Sequence, residues 1–182
     1  MLRNAELCIV NRCDNLSNED MVEYRRKLRA MGQNAMIMLE DKDGEIPHSA
    51  LPEELPYDIS QDKIAISDND YGTWFLDCMD NPERYLGKEL SFTAMVLKRK
   101  NMPEDEFIPG RMAMTCCAQD MSFLGFICKG DKKLLSAFST RDWVKVKVKL
   151  TLEEREEYHG VGPVLQLVDI ARTGEISEPV SF

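Results

Sequence analysis

Cys116 and Cys117 stand side by side in the stretch RMAMTCCAQD, Arg111 to Asp120, where they end an alternating apolar run and are followed by a carboxylate. A thiolate is both a nucleophile and a soft metal ligand, so Cys116, Cys117 and Asp120 form a candidate metal-ligand set. Geometry restricts them. On a continuous strand the two thiols point to opposite faces, and one ion cannot take both. A bulge or turn over residues 115–118 re-aims one thiol and brings Asp120 within reach. Two other readings stand beside this one. Cys116 can be a small core hydrophobe with Cys117 a surface thiol. Alternatively the pair is a redox switch, because a disulfide between neighbours is strained and easily reduced.

The rest of the composition sets limits. A length of 182 residues with 43 % hydrophobic content suits one domain or two small ones. A net charge of −9 opposes binding to nucleic acid or an anionic membrane, which needs a surplus of Lys and Arg. No apolar run approaches the ~18 residues of a spanning helix, and no charged-then-apolar leader opens the chain, so a soluble cytoplasmic protein with no direct membrane insertion is expected. The six cysteines are scattered rather than spaced as a disulfide framework, and no C-x-x-C or H-E-x-x-H pair occurs. Only two histidines are present, far apart, so no nucleophile–base pair can be assembled and a non-catalytic chain is expected.

The elements that must position the thiols come in two groups. Residues 5–10 and 35–39 are short apolar runs, and between them Ser17 with Asp20 reads as a capping box opening a helix that keeps Met21, Tyr24, Leu28 and Met31 on one face. Strand, helix, strand is the unit of a parallel sheet, but so small a piece cannot cover both sheet faces. Residues 47–70 are rich in Pro, Ser and Asp and read as a connector. A helix over 71–79 is expected to end at Asn81-Pro82. From Leu90 the period becomes two, giving strands over 90–97, 107–117, 123–128, 143–152 and 164–170, with a short helix over 131–139. Five strands with a helix between the third and fourth predict an OB-like β-barrel. Lys145, Lys147 and Lys149 alternate with Val144, Val146, Val148 and Leu150 and read as a solvated face, since no aromatic residue interleaves them as a single-strand platform requires.

Two resemblances follow from these residues. The N-terminal stretch, with Asn11-Arg12-Cys13-Asp14 and the turn Asp43-Gly44-Glu45, resembles the closing part of a CobW-like GTPase domain, a P-loop family associated with zinc and cobalt handling. The resemblance implies guanine recognition by Asn11, Arg12 and Asp14, with Arg12 in place of the usual lysine. No G-x-x-x-x-G-K-[ST] loop is present, so GTP binding is implied only in a longer parent protein. Without that loop, Asn11 to Asp14 reads as a polar corner in which Asp14 bonds nearby N–H groups. The stretch from Tyr71 resembles the soluble C-terminal domain of YcgQ-like proteins, subunits of a two-component permease family. Asn81-Pro82, Tyr85-x-Gly87-Lys88, TCCAQD, Trp143-Val144-x-Val146 and the tail Ile176-x-Glu178-Pro179-Val180-x-Phe182 carry it.

The expectation is an α+β chain with a truncated GTPase-like βαβ segment over 1–56, a linker over 57–70 and an OB-like domain over 71–182. Its expected role is a zinc-homeostasis binding module with Cys116, Cys117 and Asp120 as ligands. A homodimer, a missing GTPase half and a permease-like membrane partner are the expected partners; an interaction domain docking that permease is the alternative.

Overall fold

Ser17 and Asp20 form the capping box their spacing predicts. The Asp20 N–H donates to Ser17 Oγ at 3.1 Å and the Ser17 N–H donates back to Asp20 Oδ2 at 3.2 Å. These bonds open α1 (Asn18–Met31) in a computed structural model that describes residues 5–31, 35–47, 55–114, 121–176 and 178–180. The chain divides into two compact units, residues 1–54 and 55–181.

In the first unit, β1 (Leu7–Val10) and β2 (Met36–Asp41) pair in parallel on either side of α1, as the apolar runs predict. A third strand, β3 (Gly44–Ile46), returns antiparallel to β2. Its reversal needs Gly44, which sits at φ +119°, a conformation an L side chain rarely adopts. Cys13, Met21, Val22 and Leu39 form the small core, with Val10, Leu16, Ile37 and Ile46 packed round it. Tyr24 is half exposed, and Val22 takes the inward place expected of it.

The second unit departs from the expected barrel. Its strands are β4 (Lys63–Ala65), β5 (Glu89–Leu97), β6 (Glu106–Met114), β7 (Met121–Gly125), β8 (Cys128–Lys129), β9 (Trp143–Arg155) and β10 (Gly160–Arg172). They form one seven-stranded sheet in the order β4-β5-β9-β10-β8-β6-β7, curled so that β5 also pairs with β6 over three residues. A closed barrel of five strands is thus replaced by a sheet with β4 and β7 beyond the β5–β6 contact. Strand β4 lies in the stretch read as a connector. Three residues show no period, yet Ile64 and Ile66 are buried and β4 pairs in parallel with the start of β5. The third expected strand divides into β7 and β8 at Phe126-Ile127, because β7 pairs with β6 and β8 turns to pair with β10 as well. Strands β9 and β10 outrun their apolar pattern at the shared turn, where backbone pairing continues past the last inward residues.

Alternation fixes the core. Leu90, Phe92 and Ala94 of β5 are buried opposite Val148, Val146 and Val144 of β9, and Val96 is buried opposite Pro109 of β6, while Lys145, Lys147 and Lys149 are exposed. A register shift between Leu167 and Asp169 lets Ile170 face inward and puts Asp169 beside Lys147 at 3.2 Å. The helix α2 (Tyr71–Asp80) is buried on nearly every side, and Trp74 packs on Phe92 and Phe126 with ring centroids 4.7 and 5.7 Å away. The last helix, α3 (Lys132–Leu135), is shorter than expected and is capped by Asp131, whose side chain accepts the Leu134 N–H at 3.0 Å.

Candidate functional site

The paired thiols follow β6 directly. Met114 and Met121 are register partners, so Cys116, Cys117 and Asp120 belong to the six residues joining β6 to β7. These residues lie outside the described part of the chain, as does His48. The strand expected to carry the thiols to residue 117 is described as far as Met114. The foot of that hairpin, by contrast, is described atom by atom.

Two glycines set its geometry. Gly110 of β6 faces Gly125 of β7 across the ladder. A Cβ on Gly110 would lie 2.4 Å from the Leu124 carbonyl oxygen, and one on Gly125 would lie 2.8 Å from that of Pro109. The bare backbones also admit the buried Tyr71 hydroxyl, which donates to Leu124 O at 3.2 Å. Helix α2 is thereby fastened to the hairpin.

Next to the glycines sits a buried cation. Arg111 is 2 % exposed. Its Nη1 donates to Asp68 Oδ1 at 3.0 Å and its Nη2 to the Glu178 carbonyl at 3.2 Å. The guanidinium carbon lies 5.8 Å from the Tyr71 ring centre and 5.7 Å from that of Trp143. One side chain therefore holds together β6, the lead-in to α2, the start of β9 and the chain's tail. Arg111→Met keeps the buried volume but removes these bonds. Because Asp68 is half exposed and stays hydrated, the cost is expected to be only about 1–2 kcal/mol. A urea titration checks this, and a loss above about 4 kcal/mol would show that Asp68 depends on the pair.

Behind α2 is a second polar cluster. The Asp77 carboxylate, 6 % exposed within an apolar helix, accepts from Asn81 Nδ2 at 2.9 Å, Arg84 Nη1 at 2.7 Å and the Tyr85 hydroxyl at 2.5 Å. Tyr57 and Tyr85 share a hydrogen bond of 2.7 Å. Burial holds both phenols above their ordinary range, and the bond to Asp77 raises Tyr85 further. All its oxygens are engaged, so this cluster fastens residues 57–85 together rather than exposing a reactive group. The charge within YGTWFLDCM was the signal for it in the sequence.

Elsewhere, a cavity of about 270 Å³ opens between Lys98, Met102, Pro103 and Lys132. Four of its lining charges are engaged: Lys98 donates to Leu135 O at 2.7 Å, Lys132 pairs with Glu104, and Glu106 pairs with Arg155. Cys78 and Cys128 are fully buried, and burial pushes both thiols up, so they are held protonated as core residues. Among the described residues no group of three or more His, Cys, Asp or Glu side chains could hold a metal ion.

At the N-terminal corner, Asn11, Arg12 and Asp14 are exposed and Arg12 adopts a left-handed conformation at φ 62°. Asp14 Oδ1 accepts the Lys42 N–H at 2.9 Å. That bond ties the corner to the β2–β3 turn and is the local role available to an Asp there. Cys13 between them is buried, with its thiol donating to Val10 O at 3.4 Å.

A family model described as the DUF1980 C-terminal domain matches residues 45–182. The chain belongs to the DUF1980 C-terminal domain family. The match takes in the whole seven-stranded sheet, the TCCAQD connection and the tail. It begins upstream of Tyr71, where the sequence resemblance to YcgQ-like domains was placed, and so includes β4 and the Tyr57 contact. No curated protein matches the chain. Among solved structures, the chain is similar to Rim1, the mitochondrial single-stranded DNA binding protein of S. cerevisiae, at 11 % identity and TM-score 0.29, covering 47 % of this chain and 93 % of that one. It is also similar to a protein assigned as an aspartyl-tRNA synthetase from Leishmania major Friedlin, at 12 % identity and TM-score 0.33, covering 70 % of this chain and 23 % of that one. TM-scores of this size carry no argument about function. No helix among the described residues of this DUF1980 domain protein is long and apolar enough to cross a membrane.

Proposed function

We infer that the chain is a non-catalytic metal-binding module of cytoplasmic zinc homeostasis, built on an OB-like sheet, with Cys116, Cys117 and Asp120 as ligands. The observation that carries the reading is the placement of two thiols and a carboxylate in six residues whose flanking strands are fastened at Met114 and Met121. Two thiolates and a carboxylate make a donor set that suits zinc and leaves a fourth position for another ligand. A fastened foot matters because a ligand set must be held by its supports to bind one ion tightly. When bound, the ion would supply a structural cross-link or a transferable cargo. The chain's own residues hold the strands, with Arg111 and the glycine pair as positioning groups.

In the same reading, the βαβ segment of residues 1–54 is the remnant of a GTPase-type sheet, and Asn11, Arg12 and Asp14 meet guanine only in a longer protein. The permease-like partner and a role in docking it belong to this proposal too. Cobalt(II) substitution tests the site. Titrating the reduced chain with cobalt should give the near-ultraviolet charge-transfer absorption of thiolate ligands, saturating at about one equivalent and absent in Cys116→Ser/Cys117→Ser. If the parent gives no such absorption but loses two hydrogen masses on mild oxidation, the pair is a redox switch and the metal reading fails.

A further inference from the structure

The tail motif Ile176-x-Glu178-Pro179-Val180 is left unused by the metal reading, although the structure gives it a definite seat. Val180 bridges Ala113 of β6 in parallel register. Its N–H donates to Met112 O at 2.9 Å, and the Met114 N–H donates to Val180 O at 3.0 Å. Both Ala113 and Val180 are buried, at 0 % and 3 % exposure. Two positions earlier, the Glu178 carbonyl accepts from Arg111. At Met112–Met114, then, β6 carries β7 on one edge and Val180 of the same chain on the other.

Three features distinguish this seat from an ordinary strand of the sheet. It is a single bridge with two main-chain hydrogen bonds, joined by the Arg111 bond to the Glu178 carbonyl, so three bonds close it. Of the residues that lead to it, Gly174 and Glu175 are exposed and lie beyond the last bond of the β9–β10 hairpin, Thr173 N to Trp143 O at 2.9 Å. A buried anchor on an exposed tether is the part of a fold that opens first. Finally, Pro179 occupies the position whose N–H would point away from β6. Its missing donor costs the seat nothing and denies a further strand a bond on the outer side. The tail is shaped to close an edge rather than to extend the sheet.

Once vacated, the seat would present Met112 O and Met114 N–H, a pocket floored by Ala113, and the Arg111 guanidinium placed to take a carbonyl. That is a strand-acceptor site, in which main-chain bonds give affinity and one side-chain pocket gives selectivity. The segment it accepts is defined by what fills it: an extended backbone with a β-branched residue at the anchor, proline allowed before it, and a carbonyl two residues upstream. We propose that the edge of β6 at Met112–Met114 is a strand-acceptor site that the tail closes in cis, and that it takes the same tail from a second copy of the chain in trans. The proposal rests on Arg111 to Met114 and Glu178 to Val180 and stands whether or not Cys116 and Cys117 bind metal.

The test uses the full chain with its anchor disabled, Val180→Asp, and a labelled peptide of residues 174–182, GEISEPVSF. The variant should bind the peptide with a Kd of about 0.1 mM. The unmodified chain should bind it about tenfold more weakly, because a short tether keeps the resident tail at an effective concentration on the order of 1 mM. A peptide carrying Val180→Asp should not bind. The peptide should also raise the melting temperature of the Val180→Asp chain, which shows that the variant is folded and that its seat is intact; Val180→Gly serves if the aspartate variant does not fold. No binding at about 1 mM, or equal binding to variant and parent, overturns the acceptor site. For exchange between copies, a chain with Ala113→Glu keeps its anchor but blocks its seat. Mixed with Val180→Asp at about 0.5 mM each, above the expected Kd of about 0.1 mM, it should sediment mainly as a one-to-one dimer while each alone is a monomer; two folded monomers at that concentration would overturn the exchange.

Discussion

Asp77→Ala should lower the stability of the chain by about 3 kcal/mol, read as a fall of roughly 10 °C in Tm. The carboxylate is buried and accepts hydrogen bonds from Asn81, Arg84 and Tyr85. Removing it leaves the Tyr85 hydroxyl with only Tyr57 as partner inside the protein and releases Arg84 from the end of α2. A lost partner for a buried donor costs far more than the same bond contributes at the surface. Tyr85→Phe removes one donor but leaves the carboxylate two others, so about half the effect is expected. The pH profile gives a second reading. Burial raises the folded-state values of Tyr57 and Tyr85 above the ordinary value of 10.0. The fold thus binds these protons more tightly than the unfolded chain does. The associated stability is fully present below about pH 10 and is lost as pH rises above it. Because the bond to Asp77 is one cause of the rise at Tyr85, the alkaline loss should be shallower in Asp77→Ala than in the parent. Identical alkaline limbs would contradict the role given to this cluster.

Gly110→Ala should be nearly as damaging, at about 3 kcal/mol, for a different reason. The new methyl would lie 2.4 Å from the Leu124 carbonyl oxygen and 2.4 Å from the Phe123 ring. A phenyl ring can turn aside, but a carbonyl in the β6–β7 ladder cannot move without opening the ladder. Opening it also draws Leu124 O away from the Tyr71 hydroxyl, so α2 loosens with the hairpin. Hydrogen exchange should show the damage concentrated in β6, β7 and the tail, with β9 and β10 protected as in the parent. Gly174→Ala is the control, since a Cβ there meets nothing within 4 Å and the change should be close to neutral. Equal effects at the two glycines would contradict the close approach of β6 and β7.

Much of this was legible in the sequence where one physical signal dominated. The alternation of Val144 to Leu150 with three lysines named strand, face and burial together, and Ser17 with Asp20 named the start of α1. Closure was not legible. Whether β5 meets β6, and whether strands lie beyond that contact, depends on curl and on non-local pairing, which no local period encodes. The three residues of β4 have too little length to show a period, and their place comes from Ile64 and Ile66 reaching the core. Around the candidate site, the sequence singled out the thiols for their chemistry but read Arg111 only as one member of an alternation. Its burial arises because Asp68, the tail and two aromatic rings converge on it from three separate stretches. Asp14 shows the reverse case. Its motif suggested a ligand, while its neighbour in the fold is a backbone N–H.

The proposed metal site at Cys116 and Cys117 is tested most directly by elemental analysis of the chain purified anaerobically without chelator, beside Cys116→Ser/Cys117→Ser. About one zinc per chain in the parent and none in the folded double variant is the predicted result. A parent that carries no zinc, and takes up none when zinc is added under reducing conditions, would contradict it.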